Sequence, residues 1–317
     1  MQQIITGIHH ITALADDPQR NLDFYSGILG LRLVKKTVNF DAPEVYHFYF
    51  GNEKGDPGTI ITFFPYEGIR KGRHGTGMLN TTTFSVPVAS LDFWELRLKK
   101  FEINYKEPQE RFTNEVVIYF EDPDGLRLEL VFNDKDDRNA FSYGNIPLEH
   151  SIRGFYNAEI WTEGYERTAG LLTEQMDHKL IVEKGNRIRL AATDSPGNYI
   201  DLITLPDSLH GQGGGGTVHH IAFSTPTYES QEQARIKIAE RMLNPTQILD
   251  RQYFKSIYFR EPGGVLFEIA TAIPGFTLDE EIEKLGEDLK LLQQYELYRK
   301  QIQKDLKPVE INLKKFK

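Results

Sequence analysis

Residues 7–12 read GIHHIT, and residues 217–222 read TVHHIA. Histidine is scarce, nine in 317 residues, and four of the nine sit in these two pairs. Each pair opens an apolar-rich run of strand character. A rare dipeptide written twice at the head of a strand asks whether the chain around it repeats as well.

It repeats four times. Residues 7–65 predict a strand from Gly7 to Leu14, an amphipathic helix over DDPQRNLDFYSGILG, and extended segments around RLVKKTVNF, YHFYFGN and GTIITFFP. Residues 77–134 follow the same order, with MLNTTTFSV, the helix VASLDFWELRLKKF, then VVIYFEDPDGLRLELVF. Residues 152–207 and 217–273 give the third and fourth copies. Helix starts are signalled by the DDP of the first unit and by Ser90 as N-cap of the second. Each unit is βαβββ, with one apolar sheet face that it cannot bury alone. The expected fold is α+β: four βαβββ modules forming two cupped half-open barrels, with halves at 1–150 and 151–317. The polar or Gly-rich stretches 135–151 and 206–216 read as connections. Residues 277–306 carry Leu278, Ile282, Leu285, Leu289, Leu292 and Ile302 on an apolar stripe and predict a C-terminal helix lying on the body or on a partner subunit.

Composition narrows the function. The formal charge is −9 with no basic block, which argues against nucleic acid. No apolar run reaches the roughly 18 residues of a membrane span, and the N-terminus shows no signal-peptide pattern. Cysteine is absent, which excludes disulfides, thiol nucleophiles and iron–sulfur clusters. A cytoplasmic protein is expected. The Gly-rich GRHGTG and HGQGGGG lead into strands, not helix N-termini, so a phosphate loop is not expected.

The end of the fourth unit, IYFREPGGVLFEI, locates a carboxylate. Pro262-Gly263-Gly264 suits a three-residue hairpin loop with Gly264 in the left-handed position. That register sets Tyr258 opposite Glu268 on one face and turns Phe267 and Ile269 to the other. A carboxylate on an apolar strand is costly unless paired or metal-bound. The second unit has the same hairpin, with Tyr119 opposite Glu129, but offers Asn80 and threonines on its first strand; the third offers Asn157 and Asp201. Only units one and four carry His-His. Adjacent strand residues face opposite ways, and alignment of the units makes His10 and His220 the inward pair, with Thr12 on the same face. If modules 7–65 and 217–273 share a cup, Glu268 completes a set of two histidines and one carboxylate. Thr62, at the position equivalent to Glu268, is a poor ligand. Such a set with open positions suits non-haem Fe(II); Zn(II) would also accept it, and Mn(II) is not excluded.

These residues resemble the vicinal oxygen chelate superfamily of glyoxalase I, bleomycin-resistance proteins and type I extradiol dioxygenases. Within it, the motifs GIHHITALADD, FYSGILGLRLVKKTVNFD, HGTGM, VHHIAF and DRQYFKSIYFREPGGVLFEIA are similar to those of ring-cleaving hydroquinone 1,2-dioxygenases. The resemblance implies His10, His220 and Glu268 as Fe(II) ligands, surrounded by His9, Thr12, His219, Arg251 and Tyr258. It implies O₂-dependent cleavage of a para-hydroquinone, with Tyr258 donating hydrogen bonds and Arg251 steadying developing charge, in aromatic catabolism or quinone detoxification. The expected partners are a small aromatic substrate and O₂, with a homo-oligomer as an option. Rival readings are a catechol extradiol dioxygenase, a glyoxalase-like isomerase and a non-enzymatic aromatic-binding resistance protein. Asn157 counts against the first and Thr62 against the second. One departure stands out: the tail reads LKLLQQYE where the family would carry a proline-rich break.

Overall fold

Alternating strands with one apolar face pair until that face is covered, and here they pair into two sheets. The computed structural model describes residues 3–112, 115–193 and 197–317. Module one contains β1 (Gly7–Ala15), α1 (Pro18–Leu22), β2 (Arg32–Asn39), β3 (Ala42–Gly51) and β4 (Ile60–Pro65). Module two contains β5 (Met78–Val86), α2 (Leu91–Lys100), β6 (Gln109–Arg111), β7 (Glu115–Glu121) and β8 (Arg127–Phe132). Module three contains β9 (Gly154–Thr162), α3 (Glu166–Gln175), β10 (Lys179–Lys184), β11 (Arg187–Ala191) and β12 (Tyr199–Thr204). Module four contains β13 (Thr217–Thr225), α4 (Tyr228–Glu240), β14 (Leu249–Asp250), β15 (Phe254–Arg260) and β16 (Leu266–Pro274). The fold is therefore the expected four βαβββ modules in two curled sheets.

The pairing is crossed. One eight-stranded sheet runs β14-β15-β16-β13-β1-β4-β3-β2 and the other β10-β11-β12-β9-β5-β8-β7-β6. Modules one and four thus share the first sheet, and modules two and three the second. The halves 1–150 and 151–317 each give one module to each sheet. At both seams the first strands of the two modules run antiparallel, β1 on β13 and β5 on β9. Side chains on the convex faces, such as Phe267 and Ile269, are fully buried in the main apolar core. The concave face of the first sheet carries a smaller cluster with Val34, Tyr49, Tyr253, Phe254 and Phe276.

Three local expectations are corrected. The first helix is short: Asp17 caps it through Arg20 N at 2.8 Å, and from Asp23 to Ile28 it widens into a π-type turn whose Phe24 and Tyr25 are both buried. Ser90 stands at the N-cap of α2 but does not cap it; its hydroxyl bonds Glu149 O at 3.2 Å instead. The C-terminal helix is present but far shorter than the expected 277–306. Short 3₁₀ turns occupy Phe276–Leu278, Ile282–Lys284 and Gln293–Tyr298, and only α5 (Arg299–Asp305) is α-helical. Docking on β2 competes with the helix and wins. Leu289 bridges Lys36, and Lys290 N donates to Lys36 O at 2.9 Å. A Cβ on Gly286 would meet Leu33 O at 1.9 Å, so the strap lies flush on the sheet.

The two Gly-rich connections do more than link modules. They pair with each other through Lys71–Gly215, Arg73–Gln212 and Thr76–His210 bridges. Among the described residues no helix is long and apolar enough to cross a membrane.

Candidate metal centre

The hairpin β15–β16 forms as its loop chemistry dictates. Gly264 takes φ +101° and its N–H donates to Glu261 O at 2.9 Å. Tyr258 then pairs with Glu268, and Tyr119 with Glu129 in the second module. Gln231 of α4 locks the hairpin from behind, donating to Lys255 O and Ile269 O at 2.7 and 2.8 Å.

The seam β1–β13 brings the histidines to this carboxylate. Glu268 pairs with Ala222 on β13, and Ala222 with His10 on β1. His10 Nε2 and His220 Nε2 lie 3.3 Å apart, and Glu268 Oε2 is 3.3 and 2.9 Å from them. All three side chains are buried. Among the described residues this is the only group of three such side chains whose ligand atoms converge, within 4.8 Å of one another. Thr62 holds the position equivalent to Glu268, in register with Thr12, and the two hydroxyls bond each other at 2.9 Å.

The donor set fits a divalent metal. Glu268 Oε2 is buried and has no hydrogen-bond partner, while Oε1 accepts from Ser256 Oγ. Burial opposes ionisation of Glu268, but positive charge and donated hydrogen bonds from His10 and His220 outweigh it and hold the carboxyl well below its usual range, a role a bound cation would take over once the rings are neutral ligands. Burial also lowers the His220 imidazole, so it is neutral at pH 7 and able to coordinate.

His9 and His219 correct the strict alternation expected of the strands. The register of β1 on β13 slips once at His9 and once at His219. At a bulge two residues oppose one and alternation is lost. Each bulged ring thereby turns beside its neighbour: His9 Nδ1 lies 2.9 Å from His10 Nδ1, and His219 Nδ1 lies 2.8 Å from His220 Nδ1. With the protons on the Nδ1 atoms of His10 and His220, both Nε2 lone pairs face the centre. Burial and the adjacent His10 push His9 down to about 3, so it stays a neutral acceptor.

A cavity of about 620 Å³ opens over the three residues. His10, His220, His219, Arg251, Tyr258 and Phe254 line it. The Arg251 guanidinium stands 5.4 Å from the Tyr258 ring centroid and 3.6 Å from Asp41. Burial, reinforced by the Glu268 charge, pushes the Tyr258 phenol up, so it is a donor at neutral pH.

The sequence reading missed His47, Tyr49 and Ser256. His47 also lines the cavity, with Nε2 2.9 Å from Thr62 Oγ1 and Nδ1 2.9 Å from Tyr49 OH. Burial holds it well below the usual imidazole range. The available signal was one polar residue two places before Tyr49 in an aromatic strand.

The second sheet builds the same cup with other chemistry. Its seam has matching slips at Asn80 and Tyr156, which places Thr81 and Asn157 where His10 and His220 stand. Arginines take the middle. Arg111 bonds Glu129 and, at 2.9 Å, Asn157 Oδ1. Arg189 Nε bonds Asp201 at 2.6 Å, and Arg187 bonds it at 2.8 Å.

Modules of this order, paired across a seam and closing on a polar centre, define a class, and the chain belongs to it: residues 7–130 and 156–269 match the Glyoxalase/Bleomycin resistance protein/Dioxygenase superfamily. Among its relatives, the candidate ring-cleaving dioxygenase MhqO of Bacillus subtilis (strain 168) is 47% identical over 305 residues, 96% of this chain and 97% of that one. The chlorohydroquinone/hydroquinone 1,2-dioxygenase of Sphingobium indicum is 35% identical over 302 residues, 92% of this chain and 93% of that one. A crystal structure of a candidate dioxygenase from Bacillus subtilis subsp. subtilis str. 168 superposes with a TM-score of 0.93 at 46% identity, covering 98% of this chain and 99% of that one. Glyoxalase I from Zea mays shares the fold, with a TM-score of 0.64 at 17% identity over 84% of this chain and 92% of that one.

Proposed function

We propose that the protein is an Fe(II)-dependent dioxygenase that cleaves the ring of a para-hydroquinone, acting in the cytoplasm in aromatic catabolism or quinone detoxification. The observation that carries this reading is the buried convergence of His10, His220 and Glu268 beneath an aromatic-lined cavity. Two imidazoles and a carboxylate on one side, with threonines in place of a fourth ligand, suit non-haem Fe(II) and leave positions for substrate and O₂. A bound Fe(II) would supply the electron path between ring and O₂. The relative named for hydroquinone 1,2-dioxygenase activity supports the substrate class.

The chain's own side chains do the rest. Tyr258 stays protonated and donates a hydrogen bond where oxygen charge builds. Arg251 holds a fixed positive charge at the cavity wall and steadies an anionic ring oxygen. His9 and His219 fix the tautomers of His10 and His220. Thr12 and Thr62 occupy each other, which keeps the open side free of a protein ligand. That arrangement disfavours the isomerase reading.

The test is oxygen uptake by protein reconstituted anaerobically with Fe(II), on addition of hydroquinone or methylhydroquinone. Uptake is expected with both and lost in His220→Ala. Uptake with catechol alone would move the assignment to a catechol-cleaving enzyme. No uptake with any aromatic, in protein shown to hold the metal, would overturn it.

A further inference from the structure

Arg251 reaches the cavity from a strained turn. β14 and β15 pair through Leu249–Ser256 and Asp250–Lys255, leaving Arg251, Gln252 and Tyr253 to reverse the chain. Arg251 N donates to Phe254 O at 2.9 Å, and Tyr253 N donates to Arg251 O at 2.7 Å. Gln252, at the centre of that i to i+2 bond, sits at φ +65°. A tight turn of positive φ is rare for a residue with a side chain. Strain of this kind persists only where the surroundings over-determine it.

The turn's own backbone is held by Asp250, whose Oδ1 accepts from Gln252 N at 2.8 Å, and by Gly275 N, which donates to Tyr253 O at 2.9 Å; its side chains are held by one further carboxylate. Asp279 Oδ2 accepts from Gln252 Nε2 at 2.8 Å and from Tyr253 OH at 3.0 Å. Its other oxygen accepts from Lys35 Nζ at 2.6 Å. Lys35 is fully buried, lies 4.8 Å from the Tyr253 ring centroid and is held a second time by Glu280. Asp279 therefore joins β2 to two consecutive residues of the turn. On either side of those residues stand Arg251, which faces the substrate cavity, and Phe254, whose ring is 5.1 Å from those of both His9 and His10.

We infer that Asp279, anchored on Lys35, is a positioning residue that holds the Gln252 turn in its strained form and so aims Arg251 at the substrate. The C-terminal strap is then part of the active-site construction although, among the described residues, it contributes none to the cavity wall. This rests on the proposed role of Arg251. Charge neutralisation of Lys35 does not account for Asp279, because Glu280 already supplies it. The bonds to Gln252 and Tyr253 lie on the other oxygen.

The test separates holding from neutralising. Hydrogen exchange over residues 249–256 is compared in the metal-loaded parent protein, Asp279→Ala, Gln252→Gly and the double variant, beside steady-state oxygen uptake with hydroquinone. Asp279→Ala is expected to speed exchange in that segment, to leave residues 199–204 unchanged, and to lower kcat/KM at least tenfold with the kcat-against-KM split of Arg251→Met. Glycine accepts φ +65° without strain, so the double variant should recover to within about threefold of Gln252→Gly. Unchanged exchange in Asp279→Ala, or no rescue by glycine, would overturn the inference. Absence of turnover in the parent enzyme would count against the ring-cleavage reading alone, and the exchange measurement would still decide the clamp.

Discussion

His9 and His219 show how much a single residue of slip can do. Each sits where the β1–β13 ladder counts two residues against one, and each meets its neighbour through Nδ1. Partners of this kind hold a ligand's tautomer and orientation, and their loss costs about 10–100-fold in metal affinity. Replacing His9 with Ala should weaken Fe(II) or Mn(II) binding within that range, measured by anaerobic equilibrium dialysis, while the apoprotein stays folded. Ser256→Ala removes the donor to the buried Oε1 of Glu268. Leaving that oxygen unmatched is expected to lower apoprotein stability by about 1–3 kcal/mol in urea unfolding. The convergence of His10, His220 and Glu268 was legible from sequence because a hairpin register and a repeat alignment need only local rules. The bulges were not, because a slip belongs to two strands whose histidines are 210 residues apart. Ser256 and His47 were not, because a lone hydroxyl or imidazole on a strand becomes informative only when its facing residue is known.

At the scale of elements, the second cup is a control made by the molecule itself. It keeps the seam, the slips and the inward carboxylates, and fills the centre with Arg111, Arg187 and Arg189. Arg189 is buried with Asp201, and its loss removes charge-assisted hydrogen bonds while Arg187 still pairs that carboxylate. Arg189→Met should therefore destabilise the protein by about 1.5–3 kcal/mol in urea unfolding. Metal content per folded molecule should not change. The hairpins of this cup were as legible as those of the first, since PDG and PGG loops carry their own geometry. The C-terminal strap was not. Its apolar residues have helical spacing, yet Leu285 is buried in the concave-face cluster and Ile302 in the main core, while Leu289 bridges β2. Periodicity records which residues are apolar, and a neighbouring strand decided what they cover.

The whole molecule carries a pH dependence away from the metal centre. His178 is buried between α3 and the back of β13, with its ring 5.6 Å from Phe223 and Nδ1 2.6 Å from Met176 O. Burial lowers it to about 4 from 6.5. As pH falls below 6.5 the unfolded chain takes up this proton first, so stability declines from about 6.5 down to about 4, by roughly 3 kcal/mol for this residue. His178→Gln should flatten that part of the profile, read as urea midpoints at pH 7.5 and 5.0. A residue-independent slope between the two proteins would refute it.

Because each sheet draws one module from either half of the chain, neither half owns a finished surface or a finished centre. His10 lies in the first half; His220 and Glu268 lie in the second. A chain severed in the polar stretch between β8 and β9 would yield two fragments that are obligate partners. Neither would hold all three residues of the proposed metal centre by itself, and reassociation would restore the set. The molecule is in this sense a heterodimer written as one polypeptide, and a split form would report its own reassembly through the proposed metal centre.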